Sequence, residues 1–233
     1  MHSNKYIFIY SSVMVVVVAI ALTIVAIQLK PAQEMNIRIE KMQNILISVN
    51  MESTPKNAED LYKKYIINDF VLNEKGEETK GINAFGIDFA LEMKKATGKR
   101  NLPVFIAKMD NGDTNYIFPL RGKGLWGPIW GYLSVKSDFN TVVGTQFGHK
   151  GETPGLGAEI DTRRFQMQFT NKKIFDEKGI LTSVAVKKGG ADPGDMHGVD
   201  AISGGTITSN GVSHMLLDGM KLYEPYLKKH VRL

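Results

Sequence analysis

The chain has 233 residues, 43% hydrophobic and 9% aromatic, enough for one domain of ordinary size plus an appendage. Its formal charge of +5 is mild and its basic residues are scattered, with no Lys/Arg block interleaved with aromatics, which argues against nucleic-acid binding. Cysteine is absent, which excludes disulfides, Cys-ligated iron–sulfur clusters, Cys-built zinc sites and c-type haem attachment.

Tyr6 to Ile27 reads YIFIYSSVMVVVVAIALTIVAI and carries no charge. A helix of that length spans roughly 33 Å, enough to cross a hydrocarbon core of about 30 Å. Lys5 and Lys30 flank the run, and Tyr6 and Tyr10 suit an interface. The run is longer than the apolar segment of a cleaved signal peptide. The expectation is an uncleaved membrane anchor within residues 1–30, transmembrane over about 6–28. Charge orients it weakly, with Lys5 on one side and Lys30, Arg38 and Lys41 on the other, offset by Glu34 and Glu40. A span without charge is not expected to carry an ion.

After Pro31, residues Met35, Ile39, Met42, Leu46 and Val49 recur at helical spacing, which predicts an amphipathic helix. Residues 51–78 are polar, with a short tyrosine-bearing helix and a charged turn. Residues 31–100 are thus expected to form a helical connection and the first part of a soluble domain, and 101–233 the domain proper. LPVFIAKM and TNYIFPL flank Asp110-Asn111-Gly112-Asp113, which predicts a β-hairpin over 102–120. GYLSVKSDFNTVVGTQFG is strand-like, with a break near Asp138-Phe139-Asn140. Phe165 and Phe169 stand four apart and suggest a helix, and GILTSVAVKKGG reads as a strand. From Ser209 onward Val212, Leu216, Met220 and Tyr223 share one helical face, and Pro225 is expected to kink or end that helix. Helices and strands mix without a βαβ alternation, so the fold class is α+β with antiparallel strands.

Three loops carry chemistry-bearing residues. Gly122 to Gly127 matches G-x-G-x-x-G, but Pro128 follows and no helix begins, so a dinucleotide fold is not expected. The loop instead presents Leu125, Trp126 and Trp130 to a neighbour. HKGETPGLG, from His149 to Gly157, groups His149, Glu152 and Thr153 among glycines and Pro154. Composition alone makes it a polar turn, and no second histidine at metal spacing suggests a metal site. DAISGGTITSNG, from Asp200, places Ser203, Thr206 and Thr208 around Gly204 and Gly205. Ser209-Asn210 reads as a helix N-cap, and a helix N-terminus binds phosphate. An ordinary capped loop is the bland alternative. A hydrolase built on Ser203 or Ser209 with His197 or His214 lacks any G-x-S-x-G elbow.

Asp200-Ala201-Ile202-Ser203-Gly204-Gly205-Thr206 resembles the flavinylation motif D-x-x-[ST]-G-A-T of the FMN-binding domain family, with Gly205 where alanine is usual. The resemblance implies that Thr206 carries FMN through a phosphoester, made by a separate flavin transferase. Glu152-Thr153-Pro154-Gly155-Leu156-Gly157 resembles a family element lying against the flavin ring, and Gly124-Leu125-Trp126-Gly127 resembles a third. The candidate cofactor residues are therefore Thr206 with Asp200, Ser203, Gly204, Gly205 and Thr208, and Glu152, Thr153, Gly155, Leu156, Gly157, Leu125 and Trp126. Ser203 and Thr208 are expected to steady the phosphate, and Asp200 to fold the loop or to position a metal during attachment.

With its anchor, the chain resembles flavin-carrying subunits of two membrane complexes. These are the sodium-translocating NADH:quinone reductases and the Rnf-type ferredoxin:NAD oxidoreductases. The first is the better match. The resemblance implies an electron-transfer subunit in the bacterial inner membrane, with a periplasmic soluble domain and other membrane subunits as partners. A flavin-free structural subunit is the alternative.

Overall fold

The computed structural model describes residues 3–232. They fall into two compact units, one ending at Lys41 and the other beginning at Met42. The first is the greater part of helix α1, Asn4–Ser48, which runs uninterrupted through Pro31. From Asn4 to Arg38 every side chain on it is exposed, the whole apolar run included. It is the one helix among the described residues long and apolar enough to cross a membrane.

The second unit is built on a five-stranded antiparallel sheet in simple sequence order. Its strands are β1 Ile66–Leu72, β2 Leu102–Lys108, β3 Thr114–Lys123, β4 Pro128–Lys136 and β5 Val142–His149. The expected hairpin forms as β2 and β3, with Phe105 opposite Ile117 and Lys108 opposite Thr114. The break near Asp138 is the turn from β4 to β5. There Asp138 Oδ1 accepts from the amides of Asn140 and Thr141 at 2.9 and 2.8 Å.

Both faces of the sheet are covered, so its strands read as nearly continuous apolar runs. On one face Phe118, Leu120, Leu133 and Phe147 join Phe165, Phe169, Met220 and Tyr223. The cover there is α5, Thr206–His230, lying along β3. On the other face Phe105, Ile117 and Tyr132 pack with Ile45 and Val49 from the end of α1. Ser134 ties that end down, its hydroxyl donating to the carbonyl of Ser48.

Several sequence expectations change here. Strand β1 lies in a stretch read as helical and polar, preceded by the short helix α2, Ala58–Tyr65. The Phe165–Phe169 helix is broken into three short pieces. They are a 3-10 turn Gly157–Asp161, helix α4 Arg163–Gln166 and a second 3-10 turn Met167–Phe169. (A four-residue α3, Phe89–Glu92, precedes β2.) The two phenylalanines still share a cluster with Phe147, ring centroids 5.2–6.1 Å apart, so packing rather than helix length sets their spacing. The predicted strand near 185 reduces to β6, Ala185–Lys187, paired in parallel with β7, Gly198–Asp200. Pro225 sits inside α5 without ending it.

Candidate functional site

The three loops singled out in the sequence converge at the N-terminus of α5. The first is the β3–β4 turn. Gly124 N–H donates to Gly127 C=O at 2.8 Å, closing a tight turn that leads into β4 and not into a helix, unlike the glycine-rich turn of a dinucleotide fold. The turn leaves Trp126 68% and Leu125 48% exposed. Trp130 is not presented with them. It is half-buried in β4, its indole over Gly148, where a Cβ would come within 2.8 Å of Nε1.

The second loop follows β5 and runs into the 3-10 turn. The amides of Leu156 and Ala158 both donate to Thr153 C=O at 3.1 Å, and Gly155 N–H donates to Glu159 Oε1 at 3.0 Å. These bonds project Leu156 outward, 41% exposed, over the backbone of Gly204. Gly204 has φ +75°, a left-handed conformation that glycine adopts without strain.

The third loop leads into α5. Gly205 is the N-cap and offers no side chain, so the helix starts at Thr206, three residues before the expected Ser209-Asn210 cap. The reason is local. Gly205 N–H donates to Ile202 C=O at 3.0 Å, and Ser209 Oγ, inside the first turn, accepts from Ile202 N–H at 3.2 Å. Ser209 thus closes the loop back on the helix instead of capping it. Thr206 is partly exposed at the first helical position, beside exposed Ser203 and exposed Ile207. First-turn amides of a helix have no intrahelical acceptor and carry the positive end of the helix dipole.

Thr208 is placed differently from expectation, and Asp200 bonds within the protein. Thr208 is buried, and its hydroxyl donates to Glu152 Oε2 at 2.6 Å rather than facing the open side of the turn. Asp200 Oδ1 accepts from Ala191 N–H at 2.8 Å, so its carboxylate folds the neighbouring 188–191 turn. Gln168, unnoticed in the sequence, holds Asp200 from behind, its Oε1 accepting from the Asp200 amide at 2.9 Å.

Glu152 is only 5% exposed. Besides Thr208 it binds the Trp126 amide, which donates to Oε1 at 2.9 Å. Its own N–H donates to His149 Nδ1 at 3.1 Å, and His149 Nε2 lies 3.5 Å from Asp161 Oδ2. No group of three or more metal-ligating residues occurs among the described residues.

The arrangement suits a molecule with an anionic group at one end and a flat apolar body. An anion there would meet the first turn of α5 and the Thr206 hydroxyl. The body would meet Trp126, Leu125, Leu156 and Ile207, large apolar side chains left in solvent around that turn. Those are the requirements of flavin mononucleotide, and residues 124–221 match the family model described as FMN-binding domain, a span holding all three loops. The NqrC component of the Na(+)-translocating NADH-quinone reductase from Vibrio parahaemolyticus is 33% identical over 216 residues, covering 84% of this chain and 82% of the relative. Its counterpart from Pasteurella multocida is 34% identical over 224 residues, covering 88% and 85%. A crystal structure of the Parabacteroides distasonis counterpart is 44% identical with TM-score 0.79, covering 85% of this chain and 96% of that one. The Shewanella oneidensis NqrC structure is 28% identical with TM-score 0.70, covering 82% and 98%. The chain belongs to the NqrC family of Na(+)-translocating NADH-quinone reductase subunits.

Proposed function

We propose that the chain is a membrane-anchored electron-transfer subunit that carries FMN through a phosphoester on Thr206, within a respiratory Na+-translocating NADH:quinone reductase. The observation that carries this reading is the position of Thr206. Its hydroxyl-bearing side chain sits partly exposed on the first turn of a 25-residue helix, beside exposed apolar side chains from three segments. Family membership supports FMN and a place among the other subunits of an oxidoreductase complex. The exposed apolar run of α1 supports a single span of the bacterial inner membrane. By the family resemblance, the second unit lies on the periplasmic side.

Thr206 Oγ1 would hold the phosphate covalently, and the first-turn amides of α5 with Ser203 would receive its charge. Trp126, Leu125 and Leu156 would border the ring, while Gly204 and Gly205 leave the backbone open beside them. Flavin supplies the redox chemistry when bound, and the protein supplies position and electrostatics. A tether on Thr206 relieves the pocket of having to retain the cofactor by shape. The three loops can therefore stay open to a partner subunit, as electron transfer between subunits requires.

A separate flavin transferase makes the bond in this reading. The test is the intact mass of the full chain coexpressed with such a transferase, followed by peptide mapping. A gain of one FMN less one water, located at Thr206 and lost in Thr206→Val, is the expected result. An unmodified mass from cells with demonstrated transferase activity would overturn it and leave a flavin-free structural subunit.

A further inference from the structure

We infer that Glu152 is a positioning residue whose buried carboxylate locks the three flavin loops together before any flavin arrives, and whose charge then holds the flavin's reduction potential down. The second half of this inference rests on the Thr206 reading. Glu152 is spent on the protein rather than on the cofactor. One oxygen accepts from the Trp126 amide in the β3–β4 turn, at 2.9 Å. The other accepts from the Thr208 hydroxyl in the first turn of α5, at 2.6 Å. Glu152 itself belongs to the 150–157 loop, so a single side chain joins all three segments.

The surroundings are shaped to this carboxylate. A Cβ on Gly124 would stand 2.5 Å from Glu152 Oε1, and one on Gly157 would stand 2.6 Å from Oε2. Glycine at both positions lets two backbone segments close over the carboxylate on either side. Its two side-chain bonds come from neutral donors, and no salt bridge to Glu152 occurs among the described residues. A charge held this way is paired with no cationic side chain among the described residues. It opposes the addition of electrons to a group set between Trp126 and the start of α5, acting from a position only 5% exposed.

Glutamine at 152 separates the two roles. Its carbonyl can still accept from Trp126 N–H. Its amide can donate to Thr208 Oγ1, whose proton then turns to the carbonyl of Gly204 or Gly205, the residues just before α5. The lock survives and the charge is gone. Alanine removes both.

The experiment uses the full chain in detergent, prepared with and without a coexpressed flavin transferase. Without flavin, limited trypsin digestion reads cleavage after Lys150, an exposed residue at the head of the 150–157 loop. Glu152→Ala is expected to speed that cleavage about tenfold, and Glu152→Gln to stay within about twofold of wild type. With flavin, Glu152→Gln is expected to favour the reduced form about tenfold, about 30 mV upward for two electrons. Thr208→Val, which keeps the charge and removes one bond, is expected to speed cleavage while leaving the potential within about 10 mV, roughly a twofold change. Wild-type cleavage in Glu152→Ala overturns the lock. An unchanged potential in Glu152→Gln overturns the role of the charge, since a merely structural carboxylate would not move it. If wild-type Thr206 never gains flavin, the proposed function falls and the charge role with it. The digestion still decides the lock.

Discussion

Replacing Gly157 by alanine probes the junction of the three loops without removing a polar group. The added Cβ would lie 2.5 Å from Thr208 Oγ1 and 2.6 Å from Glu152 Oε2, where ordinary contact begins near 3.4 Å. Those two atoms are the ends of one 2.6 Å hydrogen bond between buried residues. Neither can retreat by about 0.8 Å without breaking it. A hydrogen bond to a charged group contributes about 1.5–3 kcal/mol, and overpacking costs about 1–3 kcal/mol. The stiffer unfolded chain returns about 0.4–1 kcal/mol. The net loss is about 2–4 kcal/mol, or ~5–12 °C in Tm for a domain of this size. Differential scanning calorimetry of the flavin-free full chain in detergent reads it. Gly151→Ala is the control, since a Cβ there meets nothing within 4 Å. A shift under about 2 °C, or one matching the control, would refute the reasoning that this carboxylate is tightly enclosed.

Gly205→Ala restores the residue usual in the flavinylation motif. Its Cβ would stand 3.0 Å from Ile202 Cγ2 and 3.3 Å from the Leu156 carbonyl carbon, and φ is an ordinary −99°. Ile202 is half-buried and can shift, so flavin incorporation by intact mass should equal wild type with stability within about 1 kcal/mol. Loss of half the incorporation or more would show that glycine is required there. Tyr223→Phe removes a fully buried hydroxyl lying 3.2 and 3.3 Å from the carbonyls of Pro103 and Pro119, a bridge from α5 to β2 and β3. A loss of about 1–2 kcal/mol in urea unfolding is expected, and no loss would mean that the hydroxyl contributes nothing. Burial raises the Asp138 carboxyl, but bonds from the Thr141 hydroxyl and amide and the Asn140 amide outweigh it, so the net direction is below the usual 3.8. Its stabilisation is therefore complete above pH 3.8 and is lost as pH falls through the lower folded value. Asp138→Asn should flatten that acid-side slope, and an unchanged slope would remove Asp138 as its source.

Much of the fold was legible where the determinant is local. Asn111-Gly112 announced the β2–β3 hairpin, because the turn needs a residue at positive φ and Gly112 takes +87° there. Strand β1 was not legible. Ile66, Ile67 and Val71 suit a strand, but they follow the charged helix α2, and the partner strand β2 starts at Leu102. The helix inferred from Phe165 and Phe169 failed for a related reason. Four-residue spacing marks one face of a helix, yet successive tight turns can also point two rings into one cluster.

In the site, the identities of the three loops were readable and the direction of each side chain was not. Thr208 and Ser209 look alike in sequence as hydroxyls near a phosphate. In the fold one binds Glu152 and the other binds the Ile202 amide. Their partners belong to different loops, and only the path of the chain assigns them.

By itself the sequence determined the apolar run, the absence of cysteine chemistry, the hairpin and the threonine motif. Each depends on composition or on neighbours a few residues apart, and backbone sterics and hydropathy act at that range. The tertiary structure decided where α5 begins, which hydroxyls remain free, and that a buried carboxylate joins the three loops. Glu152 meets Trp126 across 26 residues and Thr208 across 56. Contacts at such separations form only when β3, β4 and β5 have registered and α5 has packed on the sheet.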